Sequence, residues 1–425
     1  MFNSNAAIDY SSLLDTGYVD KGQQVRNILS SSLGRDAVKA AACRQSFFRF
    51  VTEFWGVVCN DPPVWNWHIP YICGELMRLE GFVGKRQPKP YDLIVNVPPG
   101  TTKSLIASVM FPAWSWTRQF WYRFIATSYG AGLSLDHGQK TRDIVKSEKY
   151  QRYFPDIGIR RTEDTKSMFR IEKRFFDKSG QLTDIKLGGG RLSSSVGGVV
   201  TGFHGHFILI DDPLDPQRAI SDQEVKTANT FIEQTLSSRK TDKAVTPTIL
   251  IQQRLRKNDP SGTRLKRAES DLLPVRHICL PGDLNAEGAD VQPASLKKYY
   301  TDGLLDPVRL TRTVLKEMKA TLGQYGFLSQ VQQAPRVASA GMFQVNNIKI
   351  VPPIPRHRFR QVVRYWDKAA TEDGGCFTAG CRMAELDDGK IAILHMEKGQ
   401  WATHKREARI KTIAEMDGSE TTVYF

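Results

Sequence analysis

Lys103 and Ser104, near the end of VNVPPGTTKSLI (residues 95–106), and Asp211 and Asp212, closing HFILIDD, are the residues best suited to phosphate chemistry. A phosphate-binding loop reads G-x-x-x-x-G-K-[ST]: backbone amides cradle the phosphates, the lysine neutralises their charge and the hydroxyl reaches a magnesium ion. Lys103 and Ser104 fit that form, while Val97 and Thr102 occupy its glycine positions. Pro98 and Pro99 have no N–H, so the cradle must come from the amides of Gly100, Thr101, Thr102, Lys103 and Ser104. Thr102 fits only where its backbone angles tolerate a Cβ. Asp211 and Asp212 follow an apolar strand directly, the arrangement that holds Mg²⁺ and orients water beside a terminal phosphate. Alone, each feature also fits a plain turn; together, in this order, they favour nucleotide hydrolysis. A third polar group, Gln252, Gln253 and Arg254, leaves another apolar run, where side chains either face a bound ligand or simply exit the strand.

These residues need elements to hold them. Between Tyr91 and Leu280 short apolar runs alternate with helical stretches, the pattern of a parallel sheet covered by helices. DLIVNV, RFIATSY, HFILID and TILIQQ predict strands. Helices are expected over 104–111, ended or kinked by Pro112, over 131–147, and over 222–238, where Ser221 and Glu224 form a capping box. The segment FRIEKRFFDKSGQLTDIKLGGGRLSSSVGG predicts antiparallel hairpins inserted into that sheet, and Phe47, Phe50, Val51 and Phe54 keep the spacing of a packed helix. Farther on, a helix near 311–332 and a linker at 332–341 lead to strands at RQVVRYWD, CFTAGCRM and KIAILHME, a helix near 403–416 and a final run TTVYF. The expected division is a polar, partly flexible leader over 1–40, a phosphate-loop ATPase domain over 41–285, a helical connector and linker over 286–350, and a strand-rich domain over 351–425.

A net charge of +14, from 59 Lys and Arg against 45 Asp and Glu, favours a polyanionic partner, and nucleic acid is the first candidate. Two basic clusters fit either a track for DNA phosphates or a solvated face: Arg254, Arg256, Lys257, Arg264, Lys266 and Arg267, and then Arg356, Arg358, Arg360 and Arg364. The six cysteines are scattered without C-x-x-C spacing, so reduced thiols are expected rather than a zinc site. No apolar run reaches the length of a membrane span and no signal-like start is present, which predicts a cytosolic protein.

Six blocks together resemble the large terminase subunit of tailed bacteriophages: WNWHIPYICGEL; VNVPPGTTKSLIASVMFPAWSW; FIATSYGAGLSLDHGQKTRDIVKS; SSSVGGVVTGFHGHFILIDDP with AISDQE; ILIQQRLRKNDPSG; and VVRYWDKAAT. They occur in family order across about residues 45–425. The resemblance implies an α/β fold: an additional-strand P-loop NTPase sheet with flanking helices, followed by an RNase H-like nuclease domain. It implies an ATP-driven motor that moves double-stranded DNA into a capsid, in the cytoplasm of the bacterial host. The partners implied are duplex DNA, a portal protein, a small terminase subunit and further copies of the chain in a ring on the portal, with no membrane. Some branches of that family carry P-P-G-x-x-K-S, so Pro99 through Ser104 would wrap the phosphates of ATP. Lys103 would pair with the β- and γ-phosphates, Ser104 and Asp211 would hold Mg²⁺, Asp212 would stand where relatives place a catalytic glutamate, and Gln252–Arg254, with Gln253 at the nucleotide, would couple hydrolysis to motion. Such rings use an arginine acting on a neighbouring subunit, and Arg191 is the nearest candidate.

In the resembling nuclease, Asp367 of YWDKAAT would bind one of two Mg²⁺ or Mn²⁺ ions. Cleavage by two metals needs several convergent carboxylates. The chain ends at Phe425 before the later ones are expected, and Glu372 and Asp373 read as loop charges, so the nuclease is expected to be truncated and inactive. His68, between Trp67 and an apolar stretch, fits either an adenine pocket or an aromatic helix contact. A rival from another class is a nucleotide-dead, basic DNA-binding prophage remnant or scaffold.

Overall fold

A computed structural model describes residues 32–271, 273–336, 348–369 and 377–425. They belong to two units, Met1–Gly341 and Met342–Phe425. The leader expected over 1–40 lies largely outside the described residues, as do half of the expected linker and both Glu372 and Asp373.

In the first unit, eight strands form one sheet: β1 (Asp92–Asn96), β2 (Arg123–Ser128), β3 (Ile157–Asp164), β4 (Met168–Phe176), β5 (Leu182–Ser195), β6 (Phe207–Asp211), β7 (Thr248–Gln252) and β8 (Val275–Cys279). Their order is β3-β4-β5-β2-β6-β7-β1-β8. From β5 to β8 all neighbours run parallel, while β4 runs antiparallel to both β3 and β5. The expected hairpins therefore extend one edge of the parallel sheet. The central strands β1, β6 and β7 are buried along their whole length, which is why they read as unbroken apolar runs. Between the strand that leads into the phosphate loop and the strand that ends in aspartates sits one more, β7: this is the additional-strand order. Its register pairs Asn96 with Gln252, Ile251 with Asp211, and Asp211 with Ser128, so the carboxyl ends of four strands meet at one edge.

The helices follow from the apolar spacing. α1 (Phe47–Val58) is capped by Ser46, whose hydroxyl accepts from the Arg49 amide, and it buries Phe47, Phe50, Val51 and Phe54. Phe50 and Phe54 stack at 4.4 Å. Beyond the phosphate loop a π-helical turn, Leu105–Met110, continues into α3 (Phe111–Arg118), with α2 (His68–Gly84) preceding β1. Pro112 therefore does not end this helix. α4 (Ala131–Lys146) and α5 (Asp222–Thr230) match their expected starts, although α5 gives way to a π-helical segment, Phe231–Leu236. Leu296, Leu304, Leu305, Leu310, Leu315, Phe327 and Val331 join the same hydrophobic core as α1 and β1, so this part of the expected connector packs within the first unit.

In the second unit, β9 (Phe359–Asp367), β10 (Thr378–Leu386) and β11 (Ile391–Gly399) form an antiparallel meander, with Gly389 (φ +77°) in the expected Asp-Asp-Gly turn. After α6 (Thr403–Asp417), β12 (Thr421–Tyr424) returns parallel to β9, giving the order β11-β10-β9-β12. This is the expected RNase H-like start. One sheet face buries Trp366 with Ile410 and Ile413 of α6. Tyr365, Ile391, Ile393, Met396 and Tyr424 remain exposed, on strands whose pairing sets Tyr365 beside Tyr424.

Arg364, expected in a basic cluster, lies instead in that interior. Its guanidinium pairs with both Asp417 oxygens and donates to Gly380 O (3.1 Å) and to His395 Nδ1 (3.0 Å). Removing one partner of a buried ion pair leaves an uncompensated charge, a loss of about 3–5 kcal/mol. Asp417→Ala should therefore raise amide hydrogen exchange across β9 and α6, whereas Arg364→Met combined with Asp417→Leu should cost less than the single change.

Candidate nucleotide site

Residues 97–104 turn tightly from β1 into the following helix. Gly100 (φ +76°) and Thr102 (φ +71°) both adopt the left-handed conformation. For a β-branched residue this costs on the order of 1–3 kcal/mol and persists only where the surroundings fix it. Thr101 Oγ1 donates to Pro98 O (2.7 Å), closing the turn. Pro99 and Gly100 form the turn itself, and no backbone acceptor among the described residues takes the amides of Gly100, Thr102, Lys103 or Ser104, so donors stay free at a helix start, as an anion cradle requires.

His68 holds this turn from behind. Asn66 Nδ2 donates to His68 Nδ1 (2.8 Å) and to Leu305 O (2.7 Å), and His68 Nε2 donates to Thr101 O (3.0 Å). Burial pushes His68 down to about 4, so the ring is neutral at pH 7 and donates through Nε2. Trp67 packs against Tyr299 (5.3 Å) and Trp65 against Phe48 and Trp55 (5.6 and 5.1 Å), so the aromatic contacts expected as one alternative are present here. On the other side, Arg309 Nη1 donates to Thr102 Oγ1 (2.6 Å).

The acidic strand meets the loop directly. Ser104 Oγ donates to Asp211 Oδ1 (2.9 Å), and Lys103 Nζ lies 3.3 Å from Asp212 Oδ2. Asp212 is itself left-handed (φ +41°) and held on several sides: its amide donates to Ile251 O, its carbonyl accepts from the Tyr129 amide, and Oδ1 accepts from the Gln253 amide (3.1 Å). Burial raises both carboxyls above the usual range, against the pull of Lys103. Asp211 Oδ2 is buried without a hydrogen-bond partner among the described residues; neutral His137, pushed down to about 4 by burial, places Nδ1 3.4 Å away. No three His, Cys, Asp or Glu side chains among the described residues group to hold a metal. Magnesium at a phosphate loop needs less, because phosphates and water complete its octahedron. One hydroxyl and one carboxylate with a spare buried oxygen fit that ion.

No protein-family model and no curated protein matches the sequence. Similar solved structures are bacteriophage large terminases. That of a thermophilic bacteriophage, in complex with ADP, shares 11% identity over 82% of this chain and 76% of its own, with a TM-score of 0.34. That of HK97 shares 13% over 85% of this chain and 70% of its own, with a TM-score of 0.39. Such overlap bears on no residue of the site, which stands on its own distances.

Several expected roles change. Gln252 and Gln253 do flank the aspartates, but Arg254 is tied to Asp259 (3.0 Å) and belongs to its own loop. Arg256, Arg264 and Arg267 pair with Asp222, Asp92 and Glu233, and in the second unit Arg356, Arg358 and Arg360 pair with Glu420, Asp387 and Glu385. The two basic clusters are thus largely carboxylate-paired. Asp367 sits in register with Ala379, and Ala379 with Lys398, so a cation rather than a second carboxylate occupies its row of the sheet.

The expectation that Arg191 acts on a neighbouring subunit does not hold. Its side chain is fully buried on β5, where Nη1 donates to Ser108 O and to Thr141 Oγ1 (3.3 Å) and Nε to Ser193 Oγ (3.1 Å). Burial pushes the guanidinium down to about 9 against the opposing charge of Asp211. Its position has a local cause. Ser108 lies in the π-helical turn, and Pro112, four residues on, has no N–H to offer its carbonyl; Arg191 brings a charged donor to that oxygen. Gly138 of α4 allows the close approach, since a Cβ there would lie 2.6 Å from Ser193 Oγ. Arg191→Met should destabilise the first unit by about 1–3 kcal/mol, the cost of an unmet buried carbonyl. Adding Pro112→Ala should recover part of that loss in urea unfolding, because the substitution restores an N–H at that position.

Proposed function

We infer that this chain is an ATP-hydrolysing motor subunit that moves double-stranded viral DNA into a capsid. The observation that carries the ATPase reading is the meeting of Ser104 with Asp211 at 2.9 Å and Lys103 with Asp212 at 3.3 Å, at the helix start that follows the left-handed Gly100 and Thr102. The packaging role rests on the ordered sequence blocks and on the additional-strand sheet followed by an RNase H-like one. In this reading the partners are duplex DNA, a portal protein, a small terminase subunit and copies of the chain in a ring, and the place of action is the host cytoplasm. No helix among the described residues is long and apolar enough to cross a membrane.

The amides of Gly100–Ser104 bind the β- and γ-phosphates, whose charge draws Lys103 Nζ away from Asp212. Asp212, its other oxygen fixed by the Gln253 amide, then accepts a hydrogen bond from the attacking water and takes its proton as the water oxygen bonds to the γ-phosphorus and the bond to the β,γ-bridging oxygen breaks. Magnesium, held by Ser104 Oγ and Asp211, supplies charge neutralisation at the phosphate oxygens when bound. Gln253 ties this exchange to the end of β7, a route by which hydrolysis moves the loop at 253–259. Cleavage through Asp367 is not part of the inferred activity, and plasmid nicking with Mn²⁺ should be the same for wild type and Asp367→Ala.

Lys103→Ala should abolish phosphate release while leaving the circular dichroism spectrum unchanged. Asp211→Ala should behave likewise, whereas Asp212→Asn should keep nucleotide binding and lose about a hundredfold in turnover, the scale of a general base. Unchanged turnover in Lys103→Ala would refute the nucleotide site. Absence of turnover in the wild type, with DNA binding retained, would instead favour a DNA-binding scaffold.

A further inference from the structure

Thr102 occupies a glycine position of the phosphate loop in a conformation that glycine adopts freely and threonine does not. Its hydroxyl is held by Arg309, 207 residues away in sequence. Arg309 is itself fixed: Nε donates to Asp306 Oδ2 (2.6 Å), and Asp306 Oδ1 accepts from the amides of Val308 (3.2 Å) and Arg309 (3.1 Å). The base of this strut is buried, with Leu305 and Leu310 in the main core and the Leu305 amide donating to Gly282 O (3.0 Å). Leu305 O is also the acceptor for Asn66, which positions His68 against Thr101. Hydrogen bonds thus link residues 305–309 to both Thr101 and Thr102.

We propose that the Asp306–Arg309 pair replaces the missing glycine: it holds Thr102 left-handed, keeping the amides of residues 100–104 aimed at the phosphates. Arg309 is then a positioning residue for nucleotide, acting through Thr102. Without the anchor a β-branched residue relaxes toward negative φ, and the peptide joining it to Lys103 turns with it. A charged donor at 2.6 Å is a strong restraint of the kind needed. The proposal rests on reading residues 97–104 as a nucleotide site.

The test uses the full chain carrying Thr102→Val, Thr102→Gly, Arg309→Lys, or the last two together. Two readouts are taken: affinity for a methylanthraniloyl-labelled ATP, with kcat and KM for ATP, and the thermal midpoint of nucleotide-free protein. Thr102→Val removes the acceptor but keeps the shape, and Arg309→Lys keeps charge but loses the fork. Each should weaken analogue binding about tenfold, the scale of one charge-assisted hydrogen bond, and raise KM more than it lowers kcat. Thr102→Gly should bind within about threefold of wild type, and adding Arg309→Lys should weaken it no further, the non-additivity of a coupled pair. Equal weakening by Arg309→Lys in both backgrounds would overturn the proposal, because the guanidinium would then serve the nucleotide directly or the fold in general. Wild-type affinity in all four variants would overturn it too. Should wild type bind no analogue, the nucleotide reading fails by itself. The thermal midpoint still decides the anchor: it must fall on Arg309→Lys in the wild-type background and not in the Thr102→Gly background.

Discussion

Charge taken out of water at one sheet edge is the constraint around which the first unit is organised. Asp211, Asp212, Lys103 and Arg191 lie on or just beyond β1, β5 and β6, two acids against two bases, with His137 neutral among them. Isolated, any of these charges would cost several kcal/mol to bury. They persist because parallel register brings them together from distant stretches of chain, and because backbone amides and hydroxyls take up the remaining valences. The result is a site whose internal charges balance one another before phosphate arrives. In the proposed reading a phosphate group would enter by exchange of partners, with Lys103 as the group that changes.

Much of this was legible in the sequence. The strands β1, β2, β6 and β7 stand out because burial on both faces demands uninterrupted apolar runs, and the phosphate loop and the aspartates follow two of them directly. What was not legible depends on contacts across long separations. β8 reads VRHIC, too polar for a buried strand, because Arg276 pairs with Glu75 and His277 bonds Asn96. Pro112 argues for a helix end unless Arg191, from another strand, is known to serve Ser108 O. Nothing near Thr102 points to Arg309. The basic clusters likewise read as free because sign and spacing carry no information about where the matching carboxylates fold.

The second unit follows the same logic at smaller scale. A meander and one crossover helix bury Trp366 and enclose Arg364 with Asp417, so the segment read as a phosphate track contributes an internal ion pair to the fold. Asp367, one residue beyond Trp366, points the other way along the strand alternation and is left exposed at a row shared with Lys398. Among the described residues its row of the sheet thus brings a cation, whereas clamping two divalent ions calls for converging carboxylates.

The exposed side chains of that sheet, Tyr365, Ile391, Ile393, Met396 and Tyr424, bear on how the protein behaves as a colloid. The chain carries a net charge of +14, and at low ionic strength mutual repulsion keeps molecules apart. Added salt shortens the reach of that repulsion to about 10 Å at 0.1 M while leaving apolar attraction intact. Under the proposed function, the same salt that would loosen a grip on polyanions would promote adhesion through the exposed apolar side chains, so the range of ionic strength that keeps the protein both dispersed and free of nucleic acid would have an upper as well as a lower bound.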